Sequence, residues 1–267
     1  MLKLNALKWW QTYKIAWSKQ TTYRLNFVLQ IIGPTLIFFF IKYNLWSAIF
    51  KSNQEIIING YNFKQMISYH VWALIVSLIA QGHSAINLAE EIRMGKISTY
   101  LIYPFNFWEF HTASFLAFQS LQFFVSAVTI SLFYSFGILQ DLSLNYLIMG
   151  YCFSLFVSIF WFSLQYLTGI LGFWLEETWV LRIILMIASA FLSGAILPLE
   201  FFPPWFVNIL NWTPFPYLSF YPIKIFTGQS IDLIAAYLNI GLWTTLIIVA
   251  NHLIWKKGIK LYTAAGM

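Results

Sequence analysis

The stretch from Leu88 to Asn106 holds the densest mixture of opposite charges in the sequence. Glu90, Glu91, Arg93 and Lys96 open a helical run, Gly95 loosens it and Pro104 stops it. Such a mixture suits ion pairing with a second surface. It carries no sign of catalysis. The sequence has no G-x-x-x-x-G-K-[ST] phosphate loop, no H-E-x-x-H and no G-x-S-x-G. Its four histidines, His70, His83, His111 and His252, are scattered. Its one cysteine, Cys152, sits in an apolar run and can build neither a disulfide framework nor a metal cluster. Glu176 and Glu177, beside Trp174 and Trp179, read as a solvated turn. The charges at 90–96 alone fit two readings equally: a docking element for a soluble partner, or a solvated loop.

Polar residues inside apolar runs form the second group. Gln119, Gln122, Ser126 and Thr129 recur at i, i+3, i+7 and i+10, so they share one helix face. Ser77, Gln81 and Ser84 form a similar stripe, with His83 and Asn87 beside it. Asn239, Thr244 and Asn251 fall in the last apolar run. Polar groups in hydrocarbon seek partners on neighbouring helices, which makes these stripes helix–helix glue. The sharper reading is that Gln81, Gln119, Gln122 and Ser126 line a path through the membrane. No chain of carboxylates lies in these runs, so the sequence contains no evident proton-driven pump.

These residues need elements to position them, and composition says which. Hydrophobic residues make up 60% of the 267 and charged residues only 9%. Soluble domains carry about 25% charged residues, so the solvent for most of this chain is lipid. Six segments approach the length of about 20 apolar residues that a span needs. They run from about Leu25 to Ile41, Met66 to Leu88, Ala113 to Ile138, Tyr146 to Trp174, Ile183 to Leu197 and Leu233 to Trp255. The fourth is long enough to break near Gly169 and Gly172. Lys3, Lys8, Lys14, Lys19, Arg24, Arg93, Lys96, Arg182, Lys256, Lys257 and Lys260 outnumber Lys42, Lys51, Lys64 and Lys224 on the other side. Positive residues stay inside, so both termini are expected in the cytoplasm. The net charge of +6 therefore reads as topology, not as a nucleic-acid site.

The expected fold is an all-α integral membrane protein of six transmembrane helices, with residues 1–267 forming one domain. Leu4, Leu7, Trp10, Lys14 and Trp17 recur at helical spacing, which predicts an interfacial helix over 1–22. This segment lacks the apolar core of a signal peptide. A cytoplasmic loop occupies 89–112. Residues 198–230 hold Pro198, Pro203, Pro204, Pro214, Pro216 and Pro222 yet stay apolar. Proline breaks helices, so short outer helices are expected that dip into the interface or cover the bundle, one of them from Pro204 to about Trp212.

The order of these elements resembles the permease subunit of an ABC-2 type exporter. The resemblance rests on Glu91-Ile92-Arg93-Met94-Gly95 after span two and on Ser193-Gly194-Ala195-Ile196-Leu197-Pro198 with Phe202-Pro203-Pro204-Trp205 after span five. The string EEIRMGKISTYLIYPFN is similar to the loop of an uncharacterised bacterial subgroup, as is the ending Trp255-Lys256-Lys257-Gly258-Ile259-Lys260-Leu261-Tyr262. Ala89 or Glu90 stands where the subgroup often has glycine. The resemblance implies a bacterial plasma-membrane protein that pairs with a second permease subunit and with a separate ATPase subunit, which binds ATP and Mg. Coupling would fall to Glu90, Glu91, Ile92, Arg93, Met94, Gly95, Lys96, Ile97 and Tyr100. Arg93 and Lys96 would face acidic groups of the ATPase, and Ile92, Met94, Ile97 and Tyr100 would supply most docking energy. The push would pass into spans one and two. The path of similar permeases lies between subunits, lined by spans two and five, and the apolar span five favours an amphipathic substrate. Without the resemblance, a passive channel or carrier and a lipid-modifying membrane enzyme stay open.

Overall fold

The computed structural model describes residues 2–22, 24–50, 56–81, 88–102, 106–140 and 142–262. Twelve α-helices are found there: α1 Leu2–Thr22, α2 Arg24–Phe50, α3 Phe63–Gln81, α4 Leu88–Arg93, α5 Ile97–Ile102, α6 Phe107–Ser135, α7 Leu144–Ile170, α8 Trp179–Leu192, α9 Pro204–Leu210, α10 Phe215–Leu218, α11 Phe220–Phe226 and α12 Leu233–Leu261. The described residues hold no strand, only an isolated bridge between Ile58 and Tyr61. Of the described helices, four are long and apolar enough to cross a membrane: α3, α6, α7 with its 3-10 extension to Phe173, and α12. The stretch Leu36–Phe50 of α2 and the 14-residue α8 are shorter apolar pieces.

Several boundaries differ from the sequence expectation for physical reasons. The first apolar run was expected to stop at Ile41, before a lysine. The helix continues to Phe50 because Lys42 donates to the Ile196 carbonyl at 2.6 Å, and Trp46 and Phe50 are buried. α6 starts at Phe107 because Asn106 and Glu109 cap it reciprocally, each side chain bonding the other's backbone N–H. α1 packs along α6, where Trp17 meets Phe124 edge-on at 6.4 Å. Lys3 and Leu4 of the predicted interfacial pattern lie outside the described side chains, as do His83, Ser84 and Asn87 of the second stripe.

The core sits between α3 and α7, and the proline-rich segment completes it. α9 runs from Pro204 at its first turn. α10 and α11 do more than cover the bundle. Pro216, Tyr217, Leu218, Ile223, Ile225 and Phe226 are buried, and Phe226 stacks on Trp72 of α3 at 4.6 Å. The segment is a wedge buried in the bundle. Irregular backbone buried in an apolar bundle needs partners for its freed polar groups. Two partners are in place: Phe220 N–H donates to the Ser193 carbonyl at 2.9 Å, and Gln81 Nε2 stands 3.5 Å from the Leu218 carbonyl.

Tyr69 locks the other flank of the wedge. Its hydroxyl donates to the Gly194 carbonyl at 2.7 Å from a fully buried position. Gly194 holds φ +80, with the Tyr69 hydroxyl 3.1 Å from where a Cβ would stand. Tyr69→Phe leaves that carbonyl unpaired. The expected cost is about 1–3 kcal/mol, read as a lower unfolding midpoint of the purified protein in detergent; an unchanged midpoint would show that water replaces the phenol.

Candidate functional site

The charged loop folds into two short helices, not one loosened helix. Gly95 separates them at φ +74. Gly95 N–H donates to the Ile92 carbonyl at 3.2 Å and Lys96 N–H to the Glu91 carbonyl at 3.0 Å. This is the paired bonding of a glycine C-cap, which ends α4 and redirects the chain into α5.

The hairpin so formed is seated on the ends of the long helices. Leu88 lies against Gly169, where an added Cβ would stand 2.6 Å from the Leu88 Cβ. Ala89 lies against Gly172, where an added Cβ would stand 3.0 Å from the Ala89 Cα. The two glycines expected to break the fourth span therefore form a socket for α4. Ile92 and Ile97 point inward and pack with Leu88, Phe107, Phe162, Tyr166 and Ile170. That corrects the expectation that Ile92 and Ile97 supply docking surface. Their apolar area is already buried against the chain itself and holds the hairpin down.

Polar contacts fix the hairpin at three more points. Arg93 pairs with Glu177 at 2.7 Å, just before α8, so Glu177 is more than a solvated turn. Glu91 Oε2 lies 3.3 Å from His111 Nε2, outside hydrogen-bond geometry. Ser98 shares a 3.0 Å hydrogen bond with Tyr262 beyond α12. Tyr100 sits edge-on to Phe107 at 5.0 Å, and burial beside the Glu91 carboxylate pushes its phenol up to about 12. Among the described side chains of the hairpin, Glu90, Arg93, Met94, Lys96 and Thr99 are exposed.

The polar stripe lies elsewhere and acts between helices. Gln119 Nε2 donates to the Ile79 carbonyl at 2.7 Å, joining α6 to α3. Ser126 shares a 2.9 Å bond with Tyr151 of α7. Gln122 is buried beside them with Oε1 unpaired. On α12, Asn251 Nδ2 donates to the Ser163 carbonyl of α7 at 2.8 Å.

Two of the cavities bounded by described residues are lined by none of Gln81, Gln119, Gln122 and Ser126. One, of about 500 Å³, opens at the proline-rich end beside Tyr61, Lys64, Gln65, Glu200 and Lys224. Lys224 there forms an ion pair with Glu200 and donates to Gln229 at 2.5 Å. The other, of about 330 Å³, lies near the hairpin between α6, α7 and α12. No group of three or more His, Cys, Asp or Glu suited to a metal occurs among the described residues.

The sequence that folds into this bundle matches a known family. The pattern of the family described as ABC-2 family transporter protein matches residues 25–266. The chain belongs to the ABC-2 transporter family. No curated relative matches it. Membership makes it a multi-pass transmembrane protein and the membrane component of an ABC transporter. Sequence reasoning reached the hairpin's charged residues in this ABC-2 subunit. It missed the glycine socket, Glu177 and the Glu200–Lys224 pair. The capping box Asn106-Phe107-Trp108-Glu109 was a readable signal for the start of α6.

Proposed function

We propose that this ABC-2 subunit is an exporter permease with six spans, α2, α3, α6, α7, α8 and α12, and both termini in the cytoplasm of a bacterial cell. A separate ATPase subunit, which binds ATP and Mg, docks on the α4–α5 hairpin. The observation that supports this is the hairpin itself. Its apolar side is fixed to the bundle, while Glu90, Arg93, Met94 and Lys96 stay accessible. A push on that face reaches α7 through the glycine socket, α6 through Tyr100, α8 through Arg93 and α12 through Ser98. These routes add to the expected one through spans one and two. A second permease subunit completes the transporter. α8 offers it a largely uncovered apolar face, including Ile183, Ile184, Met186, Ile187 and Phe191. Gln119 and Ser126 act here as struts, with Gln81 holding the wedge.

Arg93 has two claims on it, one from Glu177 and one from the ATPase. The pair with Glu177 is exposed on both sides, so it is worth only about 0–1 kcal/mol. Charge reversal of Arg93 and Lys96 should abolish co-purification of the ATPase subunit and leave the fold intact. Adding Glu177→Arg to Arg93→Glu should restore the intramolecular pair but not the complex. A complex that survives reversal of both Arg93 and Lys96 would rule out this docking face.

A further inference from the structure

The smaller cavity carries an acceptor with nothing to accept. Asn251 lines it and is only 3% exposed. Its Nδ2 donates to the Ser163 carbonyl at 2.8 Å, which fixes the amide's orientation. Its Oδ1 has no partner. A buried acceptor beside an open volume asks for a donor there. The walls around it are aromatic: Phe107, Trp108, Tyr166 and Trp255. Aromatic walls with one free carbonyl oxygen are the chemistry of an ammonium site, since ring faces attract cations.

The cavity also reaches an exposed apolar face of α12. Ile248 lines it and is 40% exposed, on a candidate span whose apolar window is only 17% buried in the protein. At the other rim His252 is exposed, and Lys256 follows one turn later on the same helix face. Lys256 and its neighbour Lys257 make no ion pair with the described residues. Glu109, the nearby acid, caps the backbone of Asn106. A cation therefore stands about 7 Å along the helix from the free acceptor, and it calls for an anion. A ligand with an ammonium, an adjacent phosphate and an acyl body meets all three demands.

We propose that this cavity is a site for an aminophospholipid of the bilayer. Its primary ammonium enters between Trp108 and Trp255 and donates to Asn251 Oδ1. Its phosphate meets Lys256, and its acyl chains lie along the outer face of α12. Phe107 belongs to both this wall and the packing beneath α5. An occupied site thus braces α6 and α12 under the hairpin. The inference does not depend on which ATPase, if any, docks there.

The test is native mass spectrometry of the full-length protein from micelles with equal amounts of phosphatidylethanolamine, phosphatidylcholine and phosphatidylglycerol. One phosphatidylethanolamine per chain should be retained, with about tenfold preference over phosphatidylcholine, which has the cation and phosphate but no N–H donor. Asn251→Leu should erase that preference. Lys256→Gln, on the exposed rim, should weaken retention severalfold without touching the fold, and decides the matter if Asn251→Leu does not fold. Equal retention of the three lipids would overturn the site as ordinary solvation by lipid. Preference for phosphatidylglycerol would reduce it to a basic surface, and no retained lipid would make it a water-filled void.

Discussion

Gly169→Ala should lower the stability of the protein by about 1–3 kcal/mol, the usual cost of forcing a methyl group into a filled site. The added Cβ would stand 2.6 Å from the Leu88 Cβ and 2.8 Å from its Cδ2. A Cβ cannot rotate away as the tip of a long side chain can. α4 itself must move, and with it the inward packing of Ile92. Gly172→Ala acts one turn on, against Ala89, whose Cα lies 3.0 Å from the new atom. The two substitutions strain one seat, so their combined effect should fall short of the sum. Truncating the opposing side chain separates the Cδ2 contact from the Cβ contact. Leu88→Ala alone costs packing, since Leu88 is only 1% exposed. Combined with Gly169→Ala it relieves the 2.8 Å contact with Cδ2 but keeps the 2.6 Å contact with Cβ, so it should recover only a small part of the loss. In the proposed transporter, Gly169→Ala should also reduce transport-linked ATPase stimulation more than ATPase binding, because the docking face survives while its seat shifts. Equal unfolding midpoints for the wild type and Gly169→Ala would show that α4 is held by other contacts.

The socket also marks where the sequence was legible and where it was not. Long apolar runs announce helices in lipid because every backbone group must be paired within the segment. α3, α6, α7 and α12 were legible for that reason. Glu90, Glu91, Arg93 and Lys96 were legible as a cluster because charges are scarce in this chain. The role of Gly169 and Gly172 was not. A glycine in a helix pattern reads as weakness, and only the partner's position shows that it makes room. Ile92 and Ile97 were misassigned for a related reason. In a short helix an apolar side chain faces either a partner or its own bundle, and spacing does not tell which. The buried wedge lay beyond reach because prolines exclude a regular span without specifying what the segment packs against. That packing is set by pairs far apart in sequence, such as Tyr69 with Gly194 and Trp72 with Phe226.

Lys224→Met should destabilise the wedge more than the loss of a surface charge would. Lys224 sits on α11 and is paired with Glu200 of the 3-10 turn Leu199–Phe201. Its side chain is 14% exposed and that of Glu200 is 32% exposed. It also donates to Tyr61 at 3.3 Å and lies 5.0 Å above the Phe220 ring. Methionine keeps the stem and removes the charge. Glu200 is then left partly buried beside Tyr61, whose phenol burial already holds in the neutral form, with the Glu200 carboxylate adding to the effect. Breaking a buried pair from one side costs about 3–5 kcal/mol. Glu200 keeps contact with solvent, which screens the orphaned charge and brings the expected loss to about 1–3 kcal/mol. The double variant Lys224→Met with Glu200→Gln separates charge from packing. Without the orphaned carboxylate it should be more stable than Lys224→Met alone. If the double variant is as unstable as the single one, the lysine's stem over Phe220 holds the wedge and the ion pair does not. If both match the wild type, the wedge is held by Tyr69, Trp72 and Phe226 alone, and the polar cavity above it is free to change its charge without moving the fold.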